Sequence, residues 1–381
     1  MSKKLNFFTA LLRPAGYSVA KLKFGYKYKK ATNLPENYIV LSNHVTDFDP
    51  ILVGLSFDKQ MYYVASEHIT RWGWIYKVLH FVFEPIIRYK ATVAASTVMD
   101  ILRKVRKGGN VCIFAEGVRT WDGVTGPVVP ATAQLVKSCR CGLVTYRIEG
   151  GYFASPNWAS SGNTRRGHLY GAPVGIYTKE DLAKMSVEEI DEIIKRDLYE
   201  DAYARQSTEM HPYRGKKLAE GMESLVFLCP KCRAHGTLES KKNRVTCSAC
   251  GCSFTYDKYG MLDGIDQKTV YELNQWQRGE LAKDVENNVG YTAPEAYLFT
   301  IEGHTLREVS RSEAKITNEA ITVGDTVIPL SSISDMGMHG RRTLIFSTTD
   351  NYYELKVPKG KNIVKFLYYR ELVKAKAEVN V

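Results

Sequence analysis

The chain has 381 residues, enough for roughly two or three domains, and its 44% apolar and 24% charged content is ordinary for globular protein. Its net charge is +11, and residues 1–30 hold eight of the positive charges and no acid, so the rest of the chain is close to neutral. No uninterrupted apolar run reaches the roughly 18 residues of a membrane span, and the amino-terminal segment lacks the apolar core and cleavage site of a secretory signal. These features predict a cytoplasmic protein, peripheral on the inner face of the membrane.

In chain order, residues 5–13 and 15–26 read as two short helices split by Pro14. Leu5, Phe8 and Leu12 share one face, and Phe7, Leu11, Tyr17, Phe24 and Tyr26 are interleaved with the cations. A basic, aromatic-rich segment of this kind suits an anionic membrane surface. Docking on the chain's own domain is the plainer alternative, and nucleic acid is disfavoured as a partner.

Tyr38-Ile39-Val40-Leu41 reads as a buried strand. It enters the polar turn Ser42-Asn43-His44-Val45-Thr46-Asp47-Phe48-Asp49-Pro50. Asp49 can cap the helix that follows, and Pro50 suits its first position. Strand-to-helix turns are where α/β proteins place chemistry. Across this one, Asp49 can accept a hydrogen bond from one ring nitrogen of His44, leaving the other to take a proton from a hydroxyl. On spacing alone, a capping aspartate and a satisfied turn histidine are the favoured reading of the pair.

Met61–Ala65 is a second strand. The aromatic stretch 71–83 reads as a core helix, as the wall of an acyl-chain groove, or as an interfacial helix. Residues 92–107 form an amphipathic helix ended by Gly108-Gly109. Val111–Phe114 is a buried strand that delivers Glu116-Gly117-Val118-Arg119 to the edge where His44 lies. A short helix at 131–138, a strand at 143–148 and charged helices, chiefly 186–203, complete an α/β pattern.

Cys229-x-x-Cys232 and Cys247-x-x-Cys250 are paired knuckles that resemble a zinc ribbon, four thiolates closing a tetrahedral structural site. Zinc ranks ahead of iron and of a disulfide framework, and Cys252 is a spare thiol that could replace Cys250. Thiol knuckles also suit a reducing compartment. Lys241, Lys242 and Arg244 lie between the knuckles, but nearby acids offset them, which favours a structural or protein-contact role over nucleic acid. Residues 266–287 read as a polar helical connector. From 296 short β-type runs follow, at 297–301, 313–316, 320–323, 326–329, 344–347 and 352–357, before a last helix at 362–377. That order resembles pleckstrin-homology-like or GRAM-like modules.

The sequence N-H-x-x-x-x-D, then Ile86-Ile87-Arg88, then Phe114-Ala115-Glu116-Gly117-Val118-Arg119, resembles the PlsC-type glycerolipid acyltransferases over residues 30–155, with a looser tail to about 215. Those enzymes make phosphatidic acid from 1-acylglycerol-3-phosphate. The resemblance implies an acyltransferase sheet with flanking helices. It also implies that His44 is the general base and Asp49 its orienting partner, and that acyl-CoA or acyl-carrier protein is the donor. Arg88 and Arg119 would grip the phosphate of the lysophospholipid; a surface arginine is the alternative for each. Glu116 would contact the glycerol or brace Arg119, and Gly117 would permit the tight turn. Ala115, Val118, Thr145 and Arg147 depart from the family pattern, which puts the acceptor pocket in question more than the chemistry. The expected organisation is basic membrane-docking helices (1–30), an acyltransferase domain (31–223), a zinc ribbon (224–258), a helical connector (259–294) and a β-rich domain (295–381).

Overall fold

A computed structural model describes residues 3–88, 95–302 and 305–379. The start of the helix expected at 92–107 lies outside these residues. The chain forms two compact units, Met1–Pro156 with Thr164–Arg214, and Asn157–Asn163 with Gly215–Val381.

The first unit runs α1 (Lys3–Phe24), β1 (Lys27–Tyr28), β2 (Tyr38–Ser42), α2 (Asp49–Leu55), β3 (Met61–Ser66), α3 (Trp74–Phe83), β4 (Ile86–Arg88), α4 (Ala95–Arg106), β5 (Asn110–Phe114), α5 (Thr132–Cys139), β6 (Gly142–Glu149), α6 (Gly151–Ala154), β7 (Tyr170–Tyr177), α7 (Lys179–Lys184), α8 (Val187–Leu198) and α9 (Ala202–Thr208). Its sheet has the order β1-β7-β6-β2-β5-β3-β4. All neighbours are parallel except β6 and β7. β2 is buried along its whole length, as a central parallel strand with covered faces should be. Ile39, Leu41, Val111 and Leu143 from three strands pack with Ile101 and Val105 of α4 and Ile190, Ile194 and Leu198 of α8.

One helix, not two, occupies the amino-terminal segment, and it runs straight through Pro14. A proline removes one intrahelical hydrogen bond. Packing holds the turns on both sides of it here. Arg13 donates to the carbonyls of Leu55 and Phe57 at 2.6 and 2.7 Å, and a Cβ on Gly16 would stand 3.2 Å from Ile51. Ala20 and Phe24 are buried, whereas Phe7, Leu11, Leu12, Tyr17, Val19 and Leu22 are exposed. α3 is no core helix: Trp74 is 73% exposed, and Ile75, Val78 and Phe81 share its open surface with Trp72 just before it. The rings of Phe8 and Phe81 meet at 5.7 Å, so the two exposed apolar faces adjoin. Among the described residues no helix is long and apolar enough to cross a membrane.

The second unit holds β8 (Leu238–Lys241), β9 (Arg244–Cys247), β10 (Ser253–Tyr256) and β11 (Leu262–Asp263), an antiparallel sheet of order β11-β10-β9-β8. α10 (Val270–Glu286) follows. It is more than a polar connector, because it buries Leu273, Asn274, Gln277, Leu281 and Val285. The Gln277 amide accepts from Phe227 N at 3.0 Å and donates to Leu225 O at 3.1 Å. A second sheet comprises β12 (Tyr291–Glu302), β13 (Thr305–Ile316), β14 (Ala320–Val323), β15 (Thr326–Pro329), β16 (Asp335–His339), β17 (Thr343–Ser347) and β18 (Tyr352–Lys356), and α11 (Val364–Val379) follows it. Its order is β15-β14-β13-β12-β18-β17-β16, antiparallel throughout.

Candidate active site

Three parallel strands fix the site. Ser42 of β2 pairs with Phe114 of β5, and Ser66 of β3 pairs with Arg88 of β4. The carboxyl ends of β2, β5 and β4 therefore open on one edge of the sheet, where α/β folds place ligands. His44, Glu116 and Arg88 all emerge there.

The turn after β2 is tied at both ends. Asn43 continues the ladder with its side chain, donating to Ile148 O at 2.9 Å and accepting from Ile148 N at 2.8 Å. Asp49 is fully buried. It accepts from Val45 N at 2.7 Å, Thr46 N at 3.0 Å and Thr46 Oγ1 at 2.7 Å. Asp49 is thus the first residue of α2 rather than its cap, and its carboxylate folds back over the turn that precedes it. One oxygen remains in contact with the catalytic candidate: Asp49 Oδ2 lies 2.7 Å from His44 Nδ1. A carboxylate there holds the proton on Nδ1 and makes Nε2 the basic nitrogen. The His44 ring also stacks on Phe114, with centroids 4.6 Å apart.

Glu116, expected to contact the glycerol or brace Arg119, is held by two backbone donors. One of its oxygens accepts from His44 N at 2.7 Å and the other from Gly126 N at 2.6 Å. It holds the His44 backbone against the loop that follows Arg119. Burial pushes its carboxyl up to about 8, with the Asp49 charge adding to the rise and the two backbone donors opposing it. Gly117 is required by its backbone conformation. Its φ is +69°, and a Cβ would stand 3.3 Å from Arg88 Nη1, which brings the Arg88 guanidinium across this turn. Arg119 is nearly buried, with Nε 3.4 Å from the exposed carboxylate of Asp47.

Three of the four departures from the family pattern have structural explanations, and Val118 has none. Ala115 donates its N–H to Ser42 O at 3.2 Å, a bond that proline could not make. Thr145 Oγ1 donates to Asp197 Oδ2 at 2.7 Å and accepts from Gly175 N at 2.9 Å. Arg147 reaches Glu149 and the carbonyls of Asp197 and Tyr199. Thr145 and Arg147 therefore bind β6 to β7 and to the end of α8. The second unit gathers Cys229, Cys232, Cys247 and Cys250 so that their sulfurs lie within 4.8 Å of one another, a group able to hold a metal ion, and Cys252 is not among them.

Residues 25–149 match the family described as Acyltransferase, so an acyltransferase domain spans this segment of the first unit. No curated protein matches the chain in sequence. Among solved structures, the chain is similar to the 1-acyl-sn-glycerophosphate (LPA) acyltransferase PlsC of Thermotoga maritima, at 16% identity over 53% of this chain and 79% of that one, with a TM-score of 0.42. It is also similar to the N-terminal PH domain of human ARAP2, at 14% identity over 24% of this chain and 81% of that one, with a TM-score of 0.19.

Proposed function

We propose that the protein transfers a fatty acyl group from an acyl thioester, acyl-CoA or acyl-carrier protein, to the free hydroxyl of a lysophospholipid. The leading acceptor is 1-acyl-sn-glycerol-3-phosphate, with phosphatidic acid as product. The observation that carries this reading is the His44 Nδ1–Asp49 Oδ2 contact of 2.7 Å on the strand edge shared with Arg88 and Arg119. His44 Nε2 takes the proton of the acceptor hydroxyl as its oxygen attacks the thioester carbonyl. The thiolate leaves and recovers that proton from the imidazolium. Base catalysis of this kind contributes roughly 10²–10⁴-fold. Arg88 and Arg119 supply forked donors for the phosphate, and Glu116 keeps the His44 backbone in place.

Zinc suits the four cysteines. Tetrahedral Zn–S bonds of about 2.3 Å put sulfurs roughly 3.8 Å apart, and the Cys229–Cys250 and Cys232–Cys247 pairs stand at 3.7 and 3.8 Å. Burial opposes ionisation of Cys247, but hydrogen bonds from the Thr237 hydroxyl and the Cys250 and Ala249 N–H groups hold its thiol down at about 6. Four thiolates leave no position for substrate, so the metal would be structural. The exposed faces of α1 and α3, with Lys21 and Lys77 among their apolar groups and Arg71 just before α3, fit an anionic membrane surface.

The test is acyl transfer by the purified protein to lysophosphatidic acid, with His44→Ala in parallel. Transfer that drops at least about 10²-fold in the variant supports the reading. Equal turnover by the two proteins sinks the assignment of the base, and no transfer by the wild type to any lysophospholipid sinks the activity.

A further inference from the structure

Asp47 has no part in the chemistry above, yet it stands at the tip of the same turn. Its carboxylate is 78% exposed, and Oδ1 lies 3.4 Å from Nε of Arg119, whose side chain is only 14% exposed. The other two carboxylates of the site are committed: Asp49 to the turn and His44, Glu116 to the N–H groups of His44 and Gly126. The tip itself is fixed, since Phe48 N donates to Thr46 Oγ1 at 3.0 Å. Asp47 therefore offers a negative charge to solvent beside the arginine that receives the phosphate.

Asp47 carries the solvent-exposed end of this pair, so its carboxylate can turn from Arg119 toward a ligand. What matters is the sign each presents. Coulomb energy is linear in charge, so Asp47 repels a phosphate dianion about twice as strongly as a phosphodiester monoanion. It attracts an ammonium group. Adjacent opposite charges match a head group whose phosphate and amine are separated by two carbons.

We propose that Asp47 is an ammonium subsite beside the Arg119 phosphate site, so that a phosphoethanolamine-headed lysolipid is a further acceptor of this enzyme. This rests on the acyl-transfer reading and deepens it. Arg119 takes the phosphate, and Asp47 takes the amine. The bond made is still the ester at the glycerol hydroxyl, with its proton passing to His44 and then to the leaving thiolate. Pairing with Asp47 favours the charged form of the amine. It stays an ammonium without a lone pair and does not compete as the nucleophile.

The experiment compares lysophosphatidylethanolamine with lysophosphatidylglycerol, two diesters of equal phosphate charge that differ in the amine, using the full chain and one thioester donor. The wild type should favour the ethanolamine lipid about three- to five-fold in kcat/KM, as a charge pair formed on an exposed carboxylate allows. Asp47→Asn should abolish that preference while raising kcat/KM for lysophosphatidic acid, a change of opposite sign that damage to the fold would not produce. Asp47→Glu should retain part of the preference. Equal use of the two diesters by the wild type overturns the proposal, as does an Asp47→Asn variant that loses the same factor on every acceptor. Should Asp47→Asn not fold, the wild-type ratio and Asp47→Glu still decide. Absence of turnover with all three lipids would instead strike the acyl-transfer reading, and the subsite with it.

Discussion

Two buried carboxylates share this site and do different work. Asp49 is surrounded by donors from its own turn and faces the histidine ring. Glu116 receives only two main-chain donors and has its carboxyl raised to about 8 by burial. A carboxyl raised in the fold favours folding most while it is protonated. Its contribution is therefore complete below about pH 4.5, its unfolded value, and is lost as pH rises through about 8. Glu116→Gln should lower stability by roughly 1–3 kcal/mol, because the amide turns a donor toward a backbone N–H. Its stability should also fall less between pH 5 and 8 than that of the wild type. Urea unfolding across that range checks both, and parallel curves would mean that Glu116 does not titrate there. His44 and Asp49 were legible as a pair from their spacing within one turn. The bracing by Glu116 was not, because its partners lie 72 and 10 residues away in sequence.

At the scale of elements, the largest departures concern α1 and α3. Proline argued for two amino-terminal helices, but packing of Arg13, Gly16, Ala20 and Phe24 on the domain keeps one. Aromatic content argued equally for a core helix at 71–83 and for an exposed one, and the neighbours of α3 decided the matter. Of its ten residues only Val82 is buried. The combined face predicts binding to anionic vesicles. Replacing Leu11, Leu22 and Trp74 by serine should weaken partitioning at least about ten-fold, since each such side chain is worth roughly 1.5–3 kcal/mol when fully removed from water. Stability should change little at such exposed positions. Co-sedimentation with vesicles containing phosphatidylglycerol reads this out, and unchanged partitioning would remove the membrane role. The strand Asp335–His339 escaped sequence reading for a related reason. Asp-Met-Gly-Met-His has weak strand character, and its pairing with Thr343–Ser347 supplies the ladder.

On the scale of the whole molecule, the acyltransferase segment and the cysteine group fall in different compact units. If the four cysteines hold zinc as proposed, a chelator should unfold the ribbon, because metal binding contributes roughly 10–16 kcal/mol in small zinc folds. Acyl transfer should persist, as the four gathered cysteines and the His44 site belong to different units. Near-UV circular dichroism with a parallel activity assay tests this, and immediate loss of turnover with the fold intact would indicate a catalytic metal. The sequence by itself determined what local chemistry determines: the strand before His44, the His44–Asp49 spacing, the order of the three acyltransferase motifs, and the two cysteine knuckles. The strand, the spacing, each motif and each knuckle depend on residues a few positions apart, where turn geometry and side-chain period leave few alternatives. Tertiary structure alone decided that Asp49 folds backward instead of capping α2, that Glu116 serves the backbone, that Asp47 faces Arg119, that Cys250 rather than Cys252 completes the group, and that α3 lies open. Those outcomes depend on which distant groups compete for one carboxylate, one sulfur position or one apolar face, and that competition exists only once the strands have brought them together.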